Sequence, residues 1–268
     1  MSPLEASITA WHESADRIIT LGAAMSDDDW LLPTDCPGWS VGDIVAHLTH
    51  LESLLTTEPH PADTYDGSIH AEVGPRYTES GVDSYRDQPP AHVRDEFAAA
   101  TTAARTVLTS LPADPDAVAP ARPPGTEWSW RTLLRNRAID LFVHEQDLRR
   151  ALGRPGGWDG TAARFTLSYF ASAMPFVVGK KVKPPARTTV VWNVDGDVAF
   201  ETGVIMGTDG RARSADPLPH NPTVRLGTDS EGFLVLCAGR RSPDQVPVDI
   251  AGDHRLASDV LTAMRITP

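Results

Sequence analysis

Two histidines and an aspartate carry the strongest chemical signal in the chain. His47 and His50 lie three apart in "TDCPGWSVGDIVAHLTH", Thr34 to His50, and Asp140 and His144 lie four apart in "RNRAIDLFVHEQDLRRALG". Residues at these spacings are neighbours on a helix surface. Asp140 and His144 therefore stack on one face, among Leu141, Val143 and Leu148. A carboxylate in such an apolar run needs a partner, because losing water without one is strongly unfavourable. His47 sits among Ile44, Leu48 and Leu51, on the side that faces a core, whereas His50 is nearer the polar edge. Taken together, His47, Asp140 and His144 offer two imidazoles and one carboxylate from two helices. That set leaves a coordination position open, as in a catalytic site for Zn²⁺ or a similar divalent ion. Asp147, three residues past His144, is placed to accept a hydrogen bond from a ligand imidazole. Glu145 points about 100° away from His144 and is expected at the surface. The alternative is an ordinary salt-bridge network, with Asp140 on Arg137 or Arg135 and His144 on Asp147. Spacing leaves both readings open.

Helices must position these residues, and the apolar spacing predicts five in the first two-thirds of the chain. They are expected over Leu4 to Met25, Val41 to Thr57, Ala91 to Leu111, Trp130 to Leu152 and Gly160 to Val178. Ser40, with Asp43 three residues later, is a candidate N-cap in a near capping box, and Ser129 serves the fourth helix likewise. In "DCPGW", Pro37 fixes φ and Gly38 permits a tight reversal that turns His47 inward. Between the second and third helices, Glu58 to Pro90 is rich in Pro, Gly and Asp, and is read as a lid or a partly disordered crossover. After Lys183 the pattern alternates. "RTTVVWNV" and "VAFETGVIM" flank the turn "DGD" as a hairpin, then come a strand and short apolar helix in "PTVRLGTDSEGFLVLCAGR", a strand in "VPVDIAGD" and a closing helix in "HRLASDVLTAM". The expected organisation is a helical bundle over 1–180 and a small α+β domain over 181–268.

Composition removes several classes. The 268 residues carry a formal net charge of −12 with no dense run of Lys and Arg, which argues against nucleic-acid and anionic-membrane partners. No apolar run approaches bilayer length, and "MSPLEASITAWHESADRIIT" has no signal-peptide pattern, so a cytoplasmic protein is expected. The two cysteines, Cys36 and Cys237, exclude a disulfide framework or a Cys-rich zinc site. Both are expected to be buried as small apolar residues.

Trp30, "PTDCPGWSVGDIVAHL" from Pro33 to Leu48, and "AIDLFVHEQDLRRALGRP" from Ala138 to Pro155 resemble the actinobacterial family of mycothiol-dependent maleylpyruvate isomerases. The closing "VDIAGDHRLASDVLTAMRITP", Val248 to Pro268, is similar to the end of that family's small C-terminal domain. The resemblance implies a multi-domain α and α+β protein: a DinB-like up-down helical bundle followed by a sterol-carrier-like domain. It implies a divalent metal, usually zinc, on His47, Asp140 and His144. The family's carboxylate is a glutamate, so the shorter Asp140 would bring the ion closer to its helix or admit a water between them. The resemblance further implies mycothiol as co-substrate, its thiolate attacking a small electrophilic substrate in isomerisation or transfer. The resemblance also implies that the small domain supplies a basic residue to an anionic substrate, for which Arg225, Arg240 and Arg241 are the candidates. The expected assembly is a monomer or homodimer.

Two other function classes fit the same residues. A metal-dependent hydrolase would hold an activated water in the open position and need no thiol. A non-enzymatic lipid or small-molecule binder would use the apolar groove of the second domain, with Phe165, Tyr169, Phe170, Met174 and Phe176 as a candidate apolar face, although core packing explains those residues more simply.

Overall fold

The computed structural model describes residues 4–57, 75–123 and 125–267. The chain divides into two compact units, Met1–Ala162 and Ala163–Pro268. Each unit is described by itself.

The first unit is helical: α1 (Glu5–Ala23), α2 (Val41–Leu54), α3 (Pro75–Tyr85), α4 (Pro90–Leu108) and α5 (Trp130–Leu152). Trp11, Ile18 and Leu21 bury the inner stripe of α1, which packs on α5, while α2 packs on α3 and α4. The entry to α2 is built as its sequence suggests. Gly38 takes the left-handed conformation at φ 83°. The Thr34 amide donates to the Trp39 carbonyl at 3.2 Å, closing the reversal. Ser40 and Asp43 then form a full reciprocal capping box, with the Ser40 amide 2.8 Å from the Asp43 carboxylate. Such a cap contributes about 1 kcal/mol to helix stability.

Helix α5 starts at the Ser129 cap and stops where Gly153 turns left-handed at φ 62°. It is not amphipathic, since every residue from Leu141 to Leu148 is buried.

Helix α3 was not foreseen. Its sequence, PRYTESGVDSY, carries few apolar residues to reveal a helical period. It docks where Gly81 lies against His50: a Cβ on Gly81 would sit 2.4 Å from the His50 Cβ. The part of the expected lid from 58 to 74 lies outside the described residues.

The expected fifth helix from Gly160 to Val178 is interrupted. Helix α6 (Thr161–Ser172) ends, a single turn α7 (Met174–Phe176) contains Pro175, and Val177–Val182 continues as a π-helical turn. Pro175 lacks the amide proton that would continue the ladder. Of the candidate apolar face, Phe170 and Met174 are buried and Phe176 is exposed.

The remainder of the second unit is a five-stranded sheet in the order β3-β2-β1-β4-β5. The strands are β1 (Thr189–Asp195), β2 (Phe200–Met206), β3 (Ala212–Ser214), β4 (Val224–Asp229) and β5 (Asp249–Gly252). The hairpin β1–β2 is antiparallel with Trp192 opposite Thr202, and β1 runs parallel to β4. The three-residue β3 is too short to leave an alternating pattern. Val190, Trp192, Val194, Val224 and Leu226 are buried, and helices α8 (Ser230–Cys237) and α9 (His254–Ala263) pack on the sheet. No helix of the described residues is long and apolar enough to cross a membrane.

Candidate metal centre

The capped start of α2 aims His47 into the bundle, and the central position of α5 brings Asp140 and His144 to meet it. His47 Nε2 lies 3.6 Å from Asp140 Oδ2, and His144 Nε2 lies 3.7 Å from Asp140 Oδ1. The imidazoles meet edge-on with centroids 5.2 Å apart. Both are buried, while the Asp140 side chain keeps 28% of its surface open. Trp39 from the α2 entry turn lies over the pair, its ring 5.0 Å from His47 and stacked on His144 at 6.1 Å.

The outer nitrogen of each imidazole is engaged. His47 Nδ1 faces the Thr78 carbonyl of α3 at 3.3 Å. His144 Nδ1 faces the Asp147 carboxylate at 3.0 Å. A carbonyl and a carboxylate can only accept, so both Nδ1 atoms carry the proton, and Nε2 is the nitrogen turned toward Asp140. Asp147 also receives the guanidinium of Arg150 and, at 3.4 Å, the Cys36 thiol. Arg150 in turn reaches Asp35 at 2.6 Å.

Burial lowers the pKa of His47 and favours the neutral ring that a metal requires. Burial also works against charge on His144, but the Asp147 carboxylate, the Cys36 side chain and the charge of Asp140 outweigh it and push its pKa up to about 10. For Asp140, burial is outweighed by the interaction with His47 and by the charges of Arg137, His144 and His47, which hold the carboxyl well below its ordinary range. Burial thus favours the neutral ring at His47, while the neighbouring carboxylates favour the charged ring at His144.

As metal ligands these residues fit. Their donor atoms lie within 4.8 Å of one another. A tetrahedral zinc site with bonds of about 2.0–2.2 Å separates its donors by about 3.3–3.6 Å, close to the spacing here. Asp140 Oδ2 is buried and makes no hydrogen bond among the described residues, the condition of an acceptor that awaits a cation. The second donor grouping, Cys36, His144 and Asp147, lies on the far side of the same imidazole. There the Arg150 guanidinium already supplies the positive charge, which makes that side a hydrogen-bonded support for His144.

Glu145 is a correction. It is fully buried, not at the surface, and its Oε1 accepts from Arg149 at 2.8 Å. The 100° rotation from His144 is real, but α5 has no solvent face there. His50 lies against α3, with Nε2 3.2 Å from Ser80 Oγ. Cys36 is buried as expected, yet sequence separation concealed its approach to Asp147, 111 residues away. Glu52, which the sequence did not single out, and Arg137, the candidate partner of Asp140, are both buried. Arg225, Arg240 and Arg241 lie in the second unit. Arg225 on β4 is 3.3 Å from Glu201, and Arg240 donates to the Ala238 carbonyl at 3.0 Å.

A helical unit with a histidine–carboxylate cluster between two helices, followed by a mixed-sheet unit, defines a multi-domain α and α+β protein. The mycothiol maleylpyruvate isomerase N-terminal domain matches residues 11–149, more than half of the chain. The chain belongs to that family, a family of enzymes. It is similar in fold to a solved structure of the mycothiol-dependent maleylpyruvate isomerase, with TM-score 0.55 and 13% identity over 94% of this chain and 93% of that one. A histidine-to-alanine mutant of that enzyme gives TM-score 0.56 and 14% identity over 93% of each chain. No curated protein matches the chain.

Proposed function

We propose that this protein is a metal-dependent enzyme that uses mycothiol to isomerise a small electrophilic substrate with a cis double bond. The observation that carries the reading is the convergence of His47, Asp140 and His144 on one point with Asp140 Oδ2 left without a hydrogen bond. A divalent ion held there, Zn²⁺ by the chemistry of the donors, would supply the positive charge that deprotonates a coordinated thiol at neutral pH.

The chain's own residues prepare that event. Thr78 and Asp147 fix the two imidazoles in the tautomer that presents Nε2. Trp39 covers the rings and keeps water from their faces. The opening at Asp140 admits the reactants. Addition of the mycothiol thiolate to the double bond leaves a single bond about which the adduct rotates, and elimination of the same thiolate restores a trans double bond, so the thiol is recovered unchanged.

The purified enzyme is expected to contain close to one divalent ion per chain by mass spectrometry and to lose turnover when mycothiol is omitted. Unchanged turnover without any thiol would overturn the reading and point to hydrolysis. Asp147→Asn, which places an amide where Arg150 and His144 need an acceptor, is expected to weaken metal affinity about 10–100-fold. Competition against a chromophoric chelator measures it.

A further inference from the structure

Beside the centre lie two buried polar groups whose hydrogen-bonding capacity is almost unused. Arg137, three residues before Asp140 on α5, is 9% exposed. A guanidinium carries five N–H donors, yet Arg137 makes no hydrogen bond among the described residues. Its ion-pair partner, Asp140 Oδ2, lies at 3.6 Å, beyond hydrogen-bonding distance. Glu52 on α2 is 1% exposed. Its Oε2 accepts from the Trp11 indole at 2.9 Å, and its Oε1 has no partner. The charge of Arg137 acts on Glu52, so the two share one region of the bundle, but they do not pair.

Buried polar groups are satisfied almost everywhere in native proteins, and an orphan calls for an explanation. Glu52 Oε1 is such an orphan, while the mostly buried Arg137 guanidinium has the Asp140 carboxylate beside it at 3.6 Å. If Asp140 serves a metal, its oxygens are committed there and Arg137 is left with its donors facing the space beside the ion. The partner that fits a planar fork of N–H groups is another planar pair of oxygens, a carboxylate.

We propose that Arg137 receives a carboxylate of the substrate beside the His47–Asp140–His144 centre. This deepens the function proposed above and rests on it for the identity of the reacting end. Arg137 and Asp140 are separated by about 4.5 Å along the helix axis, so a carboxylate on Arg137 would hold the electrophilic carbon of a short-chain acid near the ion. The Asp140 side chain keeps 28% of its surface exposed, so the centre is not sealed from such an acid. Arg137 then selects acids over neutral electrophiles.

The test uses succinate, a dicarboxylate with no double bond for a thiol to attack, and its neutral diamide. Calorimetric titration of each into the metal-loaded and metal-stripped forms of the wild type, Arg137→Lys and Arg137→Met is accompanied by metal analysis and thermal unfolding. Succinate is expected to bind the wild type and the diamide not to bind. Both variants should weaken succinate binding about 10–100-fold, Arg137→Lys included, because an ammonium lacks the fork. Arg137→Lys decides the matter if Arg137→Met fails to fold. Equal succinate binding by wild type and Arg137→Lys, or none by the wild type, overturns the proposal. So does loss of metal in Arg137→Lys, which would make Arg137 a support for Asp140. Failure of the metal reading registers separately, as a wild type without metal, while Arg137-dependent succinate binding is still read in the stripped protein.

Discussion

His144→Ala is expected to leave a folded protein that no longer holds metal. The wild-type imidazole presents Nε2 to Asp140 while its Nδ1 is anchored on Asp147, which is itself held by Arg150 and Cys36. Removing the ring takes away one of three proposed ligands and the one whose orientation is most firmly fixed. Losing an outer residue such as Asp147 costs about 10–100-fold in metal affinity or activity, and losing the ligand itself should exceed that range. Thiol-dependent turnover should fall to background together with the metal. The alanine also leaves a small void under Trp39, worth about 1–3 kcal/mol of stability, which circular dichroism and a melting curve would separate from the loss of the ion. His47→Ala should behave alike, since His47 supplies the opposite donor from α2. Retention of stoichiometric metal in both variants would return the three residues to a buried salt-bridge network.

The two halves of this centre were visible in the sequence because each is a local pattern. Asp140 and His144 are four apart on one helix, and His47 sits on the apolar stripe of another. What joins the halves is tertiary: donor chemistry made the combination one of two open readings, and the family resemblance favoured it. The salt-bridge alternative was visible for the same reason, and its contacts are also present: Arg137 lies 3.6 Å from Asp140 and Asp147 3.0 Å from His144. The two readings share their geometry and differ in whether a cation fills the gap at Asp140 Oδ2.

The misreadings have a common origin. Glu145 was placed at the surface on the premise that a helix has one wet side, but α5 is enclosed along its second half, and Glu145 finds Arg149 there instead of water. Cys36 is buried as expected, but its neighbour Asp147, brought to it by the reversal at Gly38 and the packing of α2 near α5, is far away in sequence. Glu52 gave no signal, since charged residues at helical spacing are usually solvated; Arg137 was legible only as a partner for Asp140. In the second unit the hairpin, the strand β4 and the closing helix α9 were legible from alternation and turn residues. The π-helical turn and β3 were not, because their residues are set by packing rather than by any period.

Glu52→Gln is expected to stabilise the protein at alkaline pH and to change little in acid. Burial raises the pKa of Glu52 from 4.5 to about 7, against the opposing influence of Arg137 and the Trp11 hydrogen bond. The unfolded chain therefore releases this proton at lower pH than the folded one. Between the two values the folded state binds more protons, so stability falls as pH rises, the reverse of a salt-bridged carboxylate. Below about pH 4.5 both states are protonated and the penalty is absent; above about pH 7 it is complete. The gap between 4.5 and about 7 corresponds to about 3 kcal/mol. Glutamine preserves the shape and an oxygen for the Trp11 indole, and it never ionises. Denaturant unfolding of wild type and variant at pH 5 and pH 8 should show an advantage for Glu52→Gln of less than about 1 kcal/mol at the first and of about 3 kcal/mol at the second. A variant less stable at pH 8 would mean that the ionised carboxylate is needed inside the bundle, with Arg137 its dominant partner and not a donor held open for substrate.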